Sequence, residues 1–487
     1  MESIAFVEYL RLTFPGDKSL LFKDLSCHIK KGEKILILGP SGCGKSTILQ
    51  VLSGIIPNSI ELPMKVDKLQ IPKAWGYVFQ DPDSQFCMPY VDEELAFVLE
   101  NLQIPRDQMD ERIKSLLEQV GLDLEDIHTN IQTLSGGMKQ RLAIASVLAL
   151  EPDVLFLDEP SSMLDPAGTQ EIWEVIRNVM VDKTVVIVEH KLEHVLPIVD
   201  RIILFNEAGE IIADGSKTEI FSNYKTVINE QGIWYPGVWD HFVQDFKWMQ
   251  SINTAEFNPP SIRLEEFKGY RQKKEKIYIN DVQVQEGEWI VVKGRNGAGK
   301  STLLHSLMQF IQTKGHYSLF GEVVTTSKKL DHAMTFVFQN PELQFVTNSV
   351  YEEIAYSLRI DKRSELEISE TVEELLRIFH LIEHQNKHPY QLSMGQKRRL
   401  SVAASIVRDQ QILLLDEPTF GLDSKNTFAL LTLLENYRQK NKTIIMVTHD
   451  EKIEEYFATR SWTIENGRLV KDQLLNQVKV NLSLLRV

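Results

Sequence analysis

Two stretches of this chain have the residue types needed to grip a polyphosphate. Gly39-Pro40-Ser41-Gly42-Cys43-Gly44-Lys45-Ser46-Thr47 and Gly294-Arg295-Asn296-Gly297-Ala298-Gly299-Lys300-Ser301-Thr302 share one pattern, a glycine-rich turn followed by Lys and a hydroxyl residue. Glycines let successive backbone N–H groups wrap phosphate oxygens, and a helix opening directly after them adds the partial positive charge of its N-terminus. Lys45 and Lys300 have the charge and reach for the β- and γ-phosphates of a nucleoside triphosphate. The hydroxyls of Ser46 and Ser301 suit Mg²⁺. The Cys43 thiol, whose counterpart is Ala298, has no evident task in this chemistry.

Further along each half, an apolar run ends in a pair of acids, Asp158-Glu159 and Asp416-Glu417. The aspartate at such a strand end is placed beside Mg²⁺, and the glutamate after it is the candidate general base for an attacking water. A second apolar run ends in His190, and its counterpart in His449, which lie 32 and 33 residues beyond Asp158 and Asp416. Both histidines are expected to sense the γ-phosphate and link the attacking water to the nucleotide.

These groups have to be delivered by an ordered scaffold, and the chain spells one out twice. Lys45 and Lys300 lie 255 positions apart, Asp158 and Asp416 258, and His190 and His449 259. A nearly constant offset marks one duplicated domain with small loop changes. The halves are expected at residues 1–225 and 261–487. The linker between them, residues 226–260, contains Trp234, Tyr235, Trp239, Trp248 and Pro259-Pro260. So aromatic a segment is expected to pack on one domain instead of acting as a floppy tether. Ile35–Leu38, Val154–Leu157 and Val185–Val188 are short continuous apolar runs, the pattern of parallel strands buried on both faces. Asp107–Val120 reads as an amphipathic helix stopped by Gly121. Interleaved strands and helices predict an α/β fold, with two tandem phosphate-loop domains each built on a mostly parallel sheet.

Composition narrows the partners. A net charge of −15 argues against a nucleic-acid surface, which needs clustered Lys and Arg. The three cysteines, Cys27, Cys43 and Cys87, form no metal-binding or disulfide pattern and fit a reducing compartment. No apolar run reaches the roughly 18 residues of a membrane helix, so any membrane role is expected to be peripheral.

The full order in the first half is the glycine loop, Gln80, Leu134-Ser135-Gly136-Gly137, Asp158-Glu159, Leu164-Asp165 and His190. In the second it is the loop, Gln339, Leu392-Ser393-Met394-Gly395-Gln396, Asp416-Glu417, Leu422-Asp423 and His449. This order resembles the ATP-binding-cassette ATPases over nearly the whole chain. The resemblance implies ATP and Mg²⁺ as cofactors, an α-helical signature subdomain in each half, and Gln80 and Gln339 as further Mg²⁺ ligands. It implies that Phe14 and Tyr270 stack on adenine. It also implies that the two halves pair head to tail, so that the signature of one (Ser135, Gly136 and Gly137, or Ser393 and Gly395) meets the ATP on the phosphate loop of the other. Met394 stands where the first signature has Gly136, and a Met in a tight turn is expected to restrict the backbone and weaken the first ATP site.

Two matching segments point to a narrower group. Gln80-Asp81-Pro82-Asp83-Ser84-Gln85-Phe86 is echoed by Gln339-Asn340-Pro341-Glu342-Leu343-Gln344-Phe345. They resemble the ATPase subunits of energy-coupling-factor importers, and a fused pair of this length resembles those of thiamine or hydroxymethylpyrimidine uptake. The resemblance implies a peripheral protein on the cytoplasmic face of the membrane. Its partners would be a transmembrane subunit with coupling helices, whose basic residues would meet Asp83 and Glu342, and a separate substrate-binding membrane subunit. The alternatives are the tandem ATPase of a sugar importer, a ribosome-binding translation factor with twin cassettes, and a DNA-repair or chromosome-organising ATPase. The doubled segment argues against the first of these. The short aromatic linker argues against the second, and the lack of zinc modules or a coiled coil against the third.

Overall fold

The computed structural model describes residues 3–16, 19–162, 164–245, 259–325, 330 and 332–475. It contains two compact units. One comprises Met1–Val238 with Asp423–Lys425, and the other Trp239–Leu422 with Asn426–Val487.

In the first unit a six-stranded sheet runs in the order Ile211–Ser216, Arg201–Phe205, Lys34–Leu38, Thr184–Val188, Val154–Asp158, Trp75–Val78. Only the first pair is antiparallel. Thr184–Val188 and Val154–Asp158 are buried at every position, as continuous β-branched and Leu-rich runs demand when both faces of the sheet are covered. A second, antiparallel sheet pairs Ser3–Leu12 with Phe22–Lys30 and with two short strands. In the second unit the equivalent strands join one ten-stranded sheet, which ends in the parallel order Trp289–Lys293, Thr443–Val447, Ile412–Asp416, Met334–Val337.

This order is what assembles the site. The three strands carrying chemistry lie side by side, and in a parallel sheet all of them release their loops at the same edge. The phosphate loop, the switch histidine and the acidic pair therefore come together although 151 residues of chain separate Gly39 from His190.

Helical elements follow local signals. Arg106–Gln119 forms the amphipathic helix, and Gly121 beyond it takes φ 62°. Gly136–Leu148 is N-capped by Ser135, and Met394–Ile406 by Ser393 in a full capping box with Gln396. The division between the two units falls within the aromatic linker, between Val238 and Trp239. Ile228, Ile233, Tyr235 and Val238 are buried in the first unit. Trp239 and Phe242, on the helix Val238–Asp245, pack on the second unit's core, with Phe242 stacked on Phe428 at 4.1 Å. Trp248 lies outside the described residues.

Candidate nucleotide site

Each phosphate loop leaves the sheet through a tight turn and enters a helix whose capping glycine has positive φ, 99° at Gly44 and 110° at Gly299. A Cβ at Gly44 would lie 2.6 Å from the Phe22 ring, so glycine is required there for both conformation and space. Neither helix has a side-chain cap, which leaves the N-terminal amides facing the loop for an anion. Lys45 is 7% exposed and donates to the carbonyls of Gly39 and Pro40, both at 2.8 Å. Lys300 donates likewise to Gly294 (2.7 Å) and Arg295 (3.1 Å). Both ammonium groups are thus held in the mouth of the loop. The Cys43 thiol is buried in the apolar core beneath its loop, and burial pushes its pKa up.

The acidic pairs sit opposite the loops. Ser46 Oγ donates to Asp158 Oδ1 at 2.8 Å, and Tyr77 OH donates to Oδ2 at 2.9 Å. Burial pushes the Asp158 carboxyl up, against these two hydrogen bonds. Ser301 likewise hydrogen-bonds Asp416, and the other buried oxygen of Asp416, Oδ1, has no hydrogen-bond partner among the described residues. A hydroxyl beside a buried, incompletely satisfied carboxylate is an all-oxygen donor set and fits a hard divalent cation such as Mg²⁺.

The glutamates come next. Glu159 and Glu417 have φ of 48° and 49°, a left-handed backbone that non-glycine residues adopt at a cost of order 1–3 kcal/mol and that clusters at functional sites. His190 Nε2 lies 3.0 Å from Glu159 Oε1, and Gln80 Nε2 donates to Oε2 at 3.0 Å. Burial acts to raise the Glu159 carboxyl, but the hydrogen bond and charge of His190, with Lys45, outweigh it and hold the group below its ordinary range. His449 Nε2 is 3.3 Å from Glu417 Oε1 and 3.2 Å from Asn296 Oδ1 of the loop. The first unit therefore brings Lys45, Ser46, Gln80, Asp158, Glu159 and His190 together, and the second does the same for Lys300, Ser301, Asp416, Glu417 and His449. Gln339 is exposed and no described hydrogen bond ties it to Glu417.

Phe14 is 40% exposed. Tyr270 lines a cavity of about 540 Å³ with Arg271, Lys274 and Lys276. Ser135 and Ser393 spend their hydroxyls on capping their own helices, accepting from Met138 N and Gln396 N. No described hydrogen bond joins either serine to the phosphate loop of its own half.

One expectation is corrected. Met394 is the first residue of its helix, and neither it nor Gly136 takes positive φ, so the backbone argument for a weakened first site fails. What remains is a side chain 52% exposed at the helix start. Asp83 and Glu342, expected to meet basic residues of a partner, also pair within this chain. Asp83 accepts from Lys139 Nζ at 2.7 Å, and Glu342 from Lys397 Nζ at 2.6 Å, both lysines lying on the signature helices. Gln85 and Gln344 dock the same segments by donating to the carbonyls of Ala143 and Ser401. The repeated Gln-acid-Gln spacing therefore clamps the segment after Gln80 or Gln339 onto the signature helix. Because Lys139 is mostly buried, Asp83→Lys is expected to lower unfolding stability by about 1 kcal/mol, and the exchange Asp83→Lys with Lys139→Asp to regain most of it. Chemical denaturation checks this, and losses that simply add in the double variant would contradict the clamp.

Sequence reading missed Tyr77, whose counterpart is Phe336, and Arg398, whose counterpart is Gln140. Arg398 is 2% exposed and donates to Phe338 O at 2.9 Å. Burial brings its pKa down to about 10, against the opposing charges of Glu417 and Asp416. Residues unlike in two otherwise matching sites are the signal that a comparison of the halves offers.

Comparison with known proteins agrees with the geometry. A family model described as "ABC transporter" matches residues 22–162 and 279–420. The chain is 32% identical to the "Putative HMP/thiamine import ATP-binding protein YkoD" of Bacillus subtilis (strain 168), covering 97% of this chain and 91% of that protein. It is 35% identical to a "Putative ABC transporter ATP-binding protein" of Streptococcus pneumoniae serotype 4, covering 91% and 86%. Among solved structures it is similar to an archaeal ribosome recycling factor, aABCE1, crystallised with the ribosomal stalk protein aP1, and to an "RNase-L Inhibitor". The TM-scores are 0.62 and 0.61, each at 21% identity, with 96% and 97% of this chain covered and 90% and 91% of the other. At that identity the likeness is one of fold.

Proposed function

The chain belongs to the ABC transporter family as an ATPase with two cassettes, and from that premise we propose that it is the energy-coupling subunit of a membrane importer of the energy-coupling-factor type. The observation that carries the catalytic part is the doubled constellation of Lys, Ser, Asp, Glu and His, each set gathered around one loop. In the proposed reaction Lys45 gives up the Gly39 and Pro40 carbonyls for β- and γ-phosphate oxygens. Glu159, steadied by His190 and Gln80, accepts a proton from water as the water oxygen attacks the γ-phosphorus and the bond to the bridging oxygen of ADP breaks. Ser46, Asp158 and Gln80 would hold Mg²⁺, which when bound neutralises charge developing on the phosphates. Lys300, Ser301, Asp416, Glu417 and His449 take the same parts in a second site. Signature residues complete each ATP site, as the family resemblance implies.

The importer part is supported by the relative named for HMP/thiamine import and by the doubled Gln-acid-Gln segment. No described helix is long and apolar enough to cross a membrane, so transmembrane and substrate-binding partners are other chains on this reading. In the second unit Leu343, within the clamped segment, and Val346, just beyond it, are 72% and 67% exposed. They offer apolar contacts to a coupling helix.

Deleting the gene in its own host is expected to abolish uptake of labelled thiamine or hydroxymethylpyrimidine. The tagged chain should co-purify from detergent-solubilised membranes with a polytopic subunit. Unchanged uptake together with co-sedimentation on ribosomes would overturn the importer and favour a translation-factor role.

A further inference from the structure

Behind the first acidic pair stands another carboxylate that the reaction above does not use. Glu189, the residue before His190, is 2% exposed. Its Oε2 accepts the hydroxyl of Ser161 at 2.7 Å, and its Oε1 accepts the backbone N–H of His190 at 2.8 Å and of Lys191 at 3.3 Å. Ser161 is itself fully buried and lies two residues after Glu159. One side chain thus ties the turn that follows the general base to the turn that carries its histidine partner. A carboxylate is costly to bury, and three converging donors are what make it tolerable there. Burial foremost, and the nearby charge of Glu159, push the Glu189 carboxyl up against the Ser161 hydrogen bond.

The second half lacks this link. Thr419 and Thr448 occupy the two positions, and no described hydrogen bond joins them. Thr448 Oγ1 instead accepts one amide, that of Asp450, at 3.1 Å. The corresponding His449–Glu417 distance is 3.3 Å, against 3.0 Å for His190–Glu159.

We propose that Glu189 is a positioning residue of the first ATP site, bracing the Ser161 turn against the His190 turn so that His190 stays on Glu159. It touches neither nucleotide nor water and acts through His190. The brace depends on hydrogen-bond geometry, which Gln can keep: its amide oxygen can accept the two N–H groups and its NH₂ can donate to the Ser161 oxygen.

The inference rests on the proposed hydrolysis at the first site, so it is tested in the full chain carrying Glu417→Gln, where turnover comes from that site. Steady-state kcat and KM for MgATP are measured with Glu189→Thr, the second half's residue, and with Glu189→Gln. Glu189→Thr is expected to lower kcat about tenfold or more with KM within twofold, and Glu189→Gln to recover most of the loss. Should Glu189→Thr fail to fold, Ser161→Ala reads the brace from its other end, with kcat several-fold lower and KM unchanged. Turnover that ignores Glu189→Thr, or a Gln variant as impaired as the Thr variant, overturns the brace alone. No hydrolysis in Glu417→Gln by itself overturns both the brace and the reading of two active sites.

Discussion

Changing Glu159 and Glu417 together to Gln is expected to slow steady-state ATP hydrolysis at least about 100-fold, while ATP affinity stays within about threefold. A hundredfold corresponds to roughly 2.7 kcal/mol on the barrier. Gln has nearly the shape of Glu and can keep contacts with His190 and Gln80, which sit 3.0 Å from the two Glu159 oxygens. What it cannot do is take a proton from the attacking water. The groups proposed to hold the triphosphate, Lys45 on its loop carbonyls and Ser46 on Asp158, are untouched. The strained left-handed backbone at both glutamates also survives, since it is set by the strand ends and not by the carboxylate. Phosphate release and equilibrium nucleotide binding, measured on the same preparation, separate the two effects. Residual hydrolysis above about a tenth of the original rate would show that another group serves as base.

The second large effect is expected at the loop lysines. Lys45→Ala with Lys300→Ala should weaken ATP binding about 100-fold or more. Each lysine is 7% exposed and its ammonium carries two hydrogen bonds to loop carbonyls, so each is already in the position where it would meet phosphate oxygens. Removing it deletes the one buried cation of the loop and leaves the carbonyls of Gly39, Pro40, Gly294 and Arg295 short of a donor. A lost hydrogen bond to a charged group costs roughly 1.5–3 kcal/mol, so some loss of stability in the nucleotide-free protein is also expected. Titration with a fluorescent ATP analogue reads the affinity, and thermal melting the stability. Binding retained within threefold would mean that the backbone amides and helix N-termini carry the phosphate without the lysines.

Much of this was legible in the chain because the decisive patterns are short and local. The continuous apolar runs ending at Leu38, Asp158 and Val188 became adjacent parallel strands, and that adjacency alone assembles the loop, acid and histidine edge. The helix ending before Gly121 fell within one residue of its expected bounds. Contacts between distant residues of like spacing were not legible. Asp83 and Lys139 are 56 positions apart, and an acid in an exposed segment reads equally well as a free charge or as half of an ion pair. Its repetition as Glu342 with Lys397 is the clue that the pairing belongs to the fold. Tyr77 was hidden because a tyrosine in an apolar strand usually signals packing, whereas its hydroxyl reaches Asp158. Glu189 was hidden by its neighbour, since His190 drew the chemical reading. Met394 misled for a physical reason. A glycine in a signature suggests a turn with positive φ, but this position is the first turn of a helix, where any L residue fits.

Differences between the halves therefore lie in buried groups around the glutamates, in Glu189 against Thr448, Tyr77 against Phe336, and Gln140 against Arg398. Both halves nonetheless gather the loop lysine, the aspartate, the glutamate and the histidine around one loop, which is the basis for expecting two working sites in one chain. The most direct measurement is the number of ATP molecules held by the full chain carrying Glu159→Gln and Glu417→Gln, counted after rapid removal of free nucleotide in the presence of Mg²⁺. Two unhydrolysed ATP per chain are expected, falling to one when either Lys45→Ala or Lys300→Ala is added. One ATP or none per chain, or a count indifferent to one of the two lysines, would contradict a tandem ATPase with two sites.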